Sequence, residues 1–375
     1  MGYSGVKGGM TAILAAERLV RRKRAQAPWA SAPQIIGAFR LAVDRVMGEA
    51  GLYDEATAAD AFRQAEGDLL EAAHLMRAYR SSLPRLAVTE PADPDELTVL
   101  RRIVPASRTP DGPQLLGRTT DYTARVLERP AEPPERTADA ASDGAAADRA
   151  VAAEPDEQTR RPRRFSELLA KLDLTVPHDQ VSVDEPFDVT RSAARPPAPR
   201  SAVLSSMARA ETGALVALWY RSVRGPDGVV NEVTLGEVRH GRLPVRVVHP
   251  LTGNPVEVGT IRATEVEAIE DLDGADEDRT RLDVGYGLCF GHNERKAIAM
   301  ANLDIACRRA HDDELEQLLL LTTDGLDSGG FLEHLKLPHY VTFRSIVDRK
   351  LAGRGSAGGD ETAPAVPDTF AKECQ

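Results

Sequence analysis

The apolar positions of this chain change period along its length. From about Gly8 to Pro84 they follow a helical rhythm. Met10, Ile13 and Leu14 begin a helix that runs into Arg21-Arg22-Lys23-Arg24, where cations suit the negative end of a helix dipole. Ile36, Phe39, Val43, Val46 and Met47 recur at three- and four-residue steps and share one helical face. Asp54 and Asp68 are placed as N-caps of two further helices, the second with Leu69, Ala73 and Met76 on its buried side. Leu97 to Leu127 is less regular, with Arg101-Arg102 preceding an apolar Ile103-Val104.

From Ser201 the signals turn to strand. Leu215–Tyr220 is an apolar run ending in aromatics. Val229–Val238, Leu243–Val248 and Val256–Val266 follow, with turn residues at Gly225-Pro226-Asp227-Gly228 and Gly253-Asn254-Pro255. This predicts an antiparallel meander. Val284–Phe290 then reads as a buried strand, Gly291 as a turn, and Asn293 as the cap of a helix reaching about Ala310. The expected fold class is α+β, with a helical N-terminal block and a sheet with helices in the C-terminal half.

Composition adds what periodicity omits. Between Glu128 and Pro162 the only large aliphatic residue is Val151, too little apolar surface to offset a backbone ordering cost of about 1–2 kcal/mol per residue. The expected organisation is therefore a mainly helical region over 1–127 and a linker or disordered insertion over 128–200, interrupted by a short helix near Phe165–Leu172. A mixed α/β domain over 201–350 and a disordered tail over 351–375 complete it. Lys and Arg total 47 against 58 Asp and Glu, a balance of −11 that excludes a nucleic-acid coat. No apolar run is long enough to span a bilayer, and Met1–Ala12 lacks the apolar core of a secretion signal. Cys289, Cys307 and Cys374 are far apart, as expected of free thiols in a reducing cytoplasm.

Four local features carry candidate chemistry. His334 and His339 flank Pro338, so a bend could bring two imidazoles together. Two imidazoles suit Zn²⁺, although a site needs three or four ligands. Two polar residues at a structural turn fit the same spacing. Lys7-Gly8-Gly9 precedes the first helix, where glycines let backbone N–H groups approach a phosphate and the lysine adds charge. A flexible lead-in fits equally. Gly285, Gly287 and Gly291 surround a strand–turn–helix leading to Glu294-Arg295-Lys296, which reads either as a ligand edge or as a capped helix start. Arg77 and Arg80 lie on adjacent helical turns and could clamp an anion or solvate a helix end.

Taken together and in order, these motifs resemble the I-subunit family of bacterial carbon–phosphorus lyase systems (PhnI). The residues that carry the resemblance are Val6-Lys7-Gly8-Gly9, Leu41–Met47, Gln64-Ala65 with Gly67-Asp68, and Leu75–Arg80. Gln114-Leu115-Leu116-Gly117 with Asp121-Tyr122-Thr123 continues it. Gly285–Leu288 with Phe290-Gly291, Glu294–Ala297 with Met300-Ala301, and His334–Val341 complete it. The segments Glu128–Pro162 and Arg191–Arg200 depart from the family pattern.

The resemblance implies a cytoplasmic role in phosphonate catabolism. With G, H and L partner subunits, a phosphonate would displace adenine from C1′ of ATP to give a ribose 1-alkylphosphonate 5-triphosphate. Alone, the subunit type implies nucleosidase activity. The resemblance further implies two copies per complex, contact with a J subunit that carries an iron–sulfur cluster, and association with a K subunit of ATP-binding-cassette type. It makes His334 and His339 ligands of a zinc site near the J interface. On this reading Lys7, Gly8, Gly9, Arg77, Arg80, Arg295 and Lys296 are candidates for holding phosphates, because a triphosphate needs several cationic donors. Glu294 and Asp44 are candidate carboxylates for an oxocarbenium-like transition state. The alternative is a non-catalytic hub that scaffolds the complex and lends metal ligands to a neighbour.

Overall fold

The computed structural model describes residues 9–26, 30–105, 163–177, 186–223, 234–272, 279–309, 313–326, 329, 332 and 346–354. His334, His339, Lys7, Gly8 and the 106–162 segment lie outside them. The chain divides into two compact units, Met1–Gly325 and Leu326–Gln375. In the second, residues 346–354 are helical.

The first unit opens with α1 (Gly9–Gln26), whose described side chains are all exposed. Helices α2 (Ala32–Ala38), α3 (Arg40–Ala50), α4 (Glu55–Gln64) and α5 (Leu69–Ser81) then pack together. Their ends are fixed by short polar side chains. Ser31 and Gln34 form a reciprocal capping box at α2. Asp54 accepts the Thr57 N–H at 2.7 Å, and Asp68 accepts those of Leu70 and Glu71. Val43, Val46, Met47, Ala58, Ala72 and Met76 form the core of this block.

The sheet is fully antiparallel, in the order β1 (Thr98–Ile103), β2 (Thr234–Val248), β3 (Pro255–Asp271) and β4 (Leu282–Phe290). The two segments expected on either side of His240-Gly241-Arg242 are one strand. β1 pairs with Val238–Arg242 on one edge while β3 pairs along the other, so the stretch stays extended through Gly241. Register puts Val238, His240, Thr264, Val266, Ala268 and Cys289 on one face, and Glu237, Arg239, Glu265 and Glu267 on the other. The charged face is covered by α6 (Phe165–Lys171), whose preceding Arg164 binds Asp95, Glu265 and Glu267.

On the apolar face lies α9 (Glu294–Arg309), flanked by α7 (Arg200–Arg209) and α8 (Thr212–Val223), with α10 (Asp313–Thr322) packed against those two. Gly285 and Gly287 make this packing possible. A Cβ at Gly285 would stand 2.0 Å from the Ala301 carbonyl oxygen, and one at Gly287 would stand 2.4 Å from that of Ala297. The close approach legible in these glycines is thus made by a helix. Met300, Leu303 and Ile305 are buried there, each worth roughly 1.5–3 kcal/mol of transfer free energy.

One element corrects the sequence reading. Leu215–Tyr220, expected as a strand, lies inside α8. A short apolar run does not distinguish strand from helix. What decides it is Glu211, whose carboxylate accepts the N–H groups of Gly213 and Ala214 and starts the helix, with Leu215 and Leu218 buried at helical spacing.

Candidate functional site

Two charged clusters meet the first turn of α9. The first is a buried junction between α3, α5, α9 and the α7–α8 turn. Arg77 donates to both Asp324 oxygens at 2.7 and 3.0 Å, to the Glu49 carbonyl at 2.7 and 3.0 Å, and to the Arg209 carbonyl at 3.0 Å. Arg80 donates to the Gly51 carbonyl at 3.2 Å. Lys296 is 1% exposed, and its Nζ donates to the Ala210 carbonyl at 2.8 Å. Burial pushes its ammonium below the ordinary lysine range, and Arg77 and Arg45 add to the effect. Burial likewise lowers Arg80 and takes Arg209 to about 10. Glu49 answers this charge. Its Oε1 accepts from Arg45 Nε at 2.7 Å and from the backbone and hydroxyl of Thr212 at 2.9 and 2.7 Å.

The second cluster is a rim at the β4–α9 turn. Gly291 has φ +72°, and a Cβ there would sit 2.5 Å from Asp44 Cβ, so only glycine fits. The turn is then tied down. Asp44, fully buried, accepts the His292 N–H at 2.9 Å and Arg40 Nε at 3.1 Å. Arg40 Nη2 lies 2.9 Å from the other Asp44 oxygen, in ion-pair range but without hydrogen-bond alignment. Asn293 occupies the position before α9, but its side-chain amide donates to the carbonyls of Asp44 and Phe290. Behind it, Arg40 also reaches Glu55, which pairs with Arg262.

This scaffold presents His292, Glu294, Arg101 and His240. Glu294 Oε1 accepts Arg101 Nε at 2.6 Å and lies 3.2 Å from His292 Nε2. The His292 hydrogen bond, with help from Arg101, holds the Glu294 carboxyl below its ordinary pKa. The His292 ring stacks on His240, with centroids 4.5 Å apart and planes at 18°. His240 is 6% exposed, and burial, with His292 beside it, brings its imidazole down to about 4. Its tautomer follows from Thr264. That hydroxyl has one proton, which goes to the Gly291 carbonyl at 2.6 Å, and it accepts the Asn293 N–H at 3.1 Å. The 3.1 Å contact with His240 Nδ1 is therefore donated by the imidazole, which carries its proton on Nδ1.

The rim thus holds one buried neutral imidazole, one half-exposed imidazole against a carboxylate, and a guanidinium. Chemically it can move a proton and hold an anion. Of the residues singled out by sequence, Glu294 stands in the rim, while Asp44 lies beneath it and positions the turn. Arg77, Arg80 and Lys296 lie in the junction with donors turned inward. Arg295 is exposed at the start of α9, and Gly9 begins α1. His292, His240 and Arg101 were not among the candidates. The signal for His292 was its place two residues before Glu294 in the same turn. Nothing local marks His240, which only strand pairing brings to it. Among the described residues, no group of three or more His, Cys, Asp or Glu side chains could hold a metal.

The comparisons converge. The family described as bacterial phosphonate metabolism protein (PhnI) matches residues 2–354. HtxH of Stutzerimonas stutzeri, named as a C–P lyase subunit protein, is 38% identical, over 98% of this chain and all of that relative. Two proteins named alpha-D-ribose 1-methylphosphonate 5-triphosphate synthase subunit PhnI are similar as well. The one from Rhizobium meliloti is 36% identical, over 96% of this chain and 98% of its own length. The one from Escherichia coli is 38% identical, over 92% and 96%.

Proposed function

The chain belongs to the PhnI family, a subunit family of carbon–phosphorus lyase, and from that premise we propose that it takes part in displacing the purine from a nucleoside triphosphate. With G, H and L partners the incoming group is a phosphonate and the product a ribose 1-alkylphosphonate 5-triphosphate. Alone, the incoming group is water. The observation that supports this reading is near-complete alignment with two relatives named as subunits of the corresponding synthase. The chemistry asks for cationic donors at the triphosphate and a carboxylate near C1′, where positive charge builds as the N-glycosidic bond breaks. Lys7, Gly8, Gly9 and Arg295 are the proposed phosphate contacts, since Arg77, Arg80 and Lys296 are engaged inside the junction. Glu294 is the proposed carboxylate.

The test is direct. Purified chain, alone and with its G, H and L partners, is incubated with ATP and a phosphonate, and free adenine is measured. Adenine release is expected. No release in either condition overturns the reading.

The hub alternative has one point in its favour: most of the sequence-predicted cations serve the fold. We also propose that His334 and His339 supply two ligands of a zinc site completed by a partner carrying an iron–sulfur cluster, in a cytoplasmic complex with two copies of this chain and a K subunit attached. The double variant His334→Ala, His339→Ala should then lose C–P cleavage and keep purine displacement. Metal analysis finding no zinc in the assembled complex would contradict the zinc assignment.

A further inference from the structure

We propose that His292 is the acid that delivers a proton to the departing purine. The inference rests on the purine-displacement reading and assigns that reaction a residue. Two stacked imidazoles 4.5 Å apart do not both carry charge, because each opposes protonation of the other. His240 is the buried member, with its single proton on Nδ1 engaged by Thr264. The exchangeable proton of the pair therefore resides on His292.

The groups facing His292 are Glu294 from α9, Arg101 from β1, His240 from β2, and Asp44 with its partner Arg40 from α3. Their arrangement separates orientation from chemistry. Glu294 sits at Nε2 and fixes the ring. The backbone N–H, bound to Asp44, fixes the turn. Among the described residues nothing bonds Nδ1, so that nitrogen is left for substrate. A carboxylate on one imidazole nitrogen and a reacting group on the other is the arrangement by which a histidine is held in one tautomer and its cationic form stabilised.

In the reaction, the C1′–N9 bond breaks and its electron pair passes to the purine. The proton on His292 Nδ1 moves to a purine ring nitrogen, N7 by chemical preference, so the base leaves neutral. An oxygen of water or phosphonate forms the new bond to C1′. His292 is reprotonated from solvent, or by the proton that the attacking water sheds. For the proton transfer Glu294 acts by positioning His292, while its charge also serves C1′.

The test compares two leaving groups. GTP needs a proton on its departing base. In 7-methyl-GTP the N7 methyl already places positive charge on the purine, so departure needs no acid. With the wild-type chain in its complex, both substrates are expected to release base, and the GTP rate should fall as pH rises, as a reaction that needs a protonated acid does. His292→Gln should release base from GTP about 100-fold more slowly or worse. It should act on 7-methyl-GTP within about threefold of wild type, and its GTP rate should lose the alkaline decline. Glu294→Gln also removes the carboxylate proposed at C1′, so it should slow base release from both substrates. Equal losses on both substrates in His292→Gln, or none on either, would overturn the assignment. Failure of the wild-type complex to release base from either would instead overturn the purine-displacement reading, and this proposal with it.

Discussion

The junction under α9 and the rim at its N-terminus are built from the same kinds of side chain, and they differ in where the donors end. In the junction, Arg77 spends its guanidinium on one carboxylate and two carbonyls, and Lys296 ends on a third carbonyl with 1% exposure. In the rim, Glu294 is shared between Arg101 and His292, and the far nitrogen of His292 meets no described residue. Residue type does not separate a structural cation from one that meets a ligand. Where those donors end does: Arg77 and Lys296 end on carboxylate and carbonyl oxygens of the protein, whereas His292 is half-exposed and its far nitrogen is open to a ligand.

The sharpest way to break the comparison is at Arg77. Arg77→Ala removes the ion pair to Asp324 and leaves the Glu49 and Arg209 carbonyls without this donor in a packed junction, and should cost about 2–4 kcal/mol in urea unfolding. A loss under 1 kcal/mol would mean that the arginine is not the clamp described here.

The next effect is one of pH. The folded pKa of His240, about 4, lies below the ordinary 6.5. Below pH 6.5 the unfolded chain gains a proton that the folded chain refuses until about pH 4. This contribution is therefore present above pH 6.5 and lost as pH falls toward 4, by up to about 3 kcal/mol. The drop in urea midpoint between pH 7 and pH 4.5 should be smaller in His240→Gln than in wild type. Equal drops would show that His240 is not held neutral by the fold.

Lys296→Met should cost less than Arg77→Ala, about 1–2 kcal/mol. It leaves the Ala210 carbonyl unpaired but also removes a charge that burial disfavours. The smallest effect belongs to Arg295, exposed on α9. Arg295→Ala should change stability by less than about 0.5 kcal/mol, while the KM for ATP rises if this guanidinium meets the triphosphate. An unchanged KM would remove Arg295 from the phosphate contacts.

Much of the fold was legible in the chain because it is written locally. Asp54 and Asp68 cap the helices they were expected to cap, α6 begins at Phe165 as read, and the antiparallel meander is present. What escaped depends on long-range or unusual partners. α8 is started by a glutamate capping from outside its first turn, a weaker sequence signal than Ser, Asp or Asn. The continuity of β2 follows from pairing on both edges, which no window of sequence contains. The site divides in the same way. Glu294 and Asp44 could be nominated from type and motif. That Asp44 is buried and acts through the His292 turn follows only from packing, as do the meeting of His240 with His292 and that of Arg101 with Glu294.

The most direct test sets the two clusters against each other in one assay. Adenine release from ATP is measured for complexes carrying His292→Gln or Arg77→Ala, at a temperature where both are folded and with rates expressed per folded molecule. The account predicts a loss of about 100-fold for His292→Gln and a rate within twofold of wild type for Arg77→Ala. The reverse order, with Arg77 governing the rate and His292 dispensable, would contradict it.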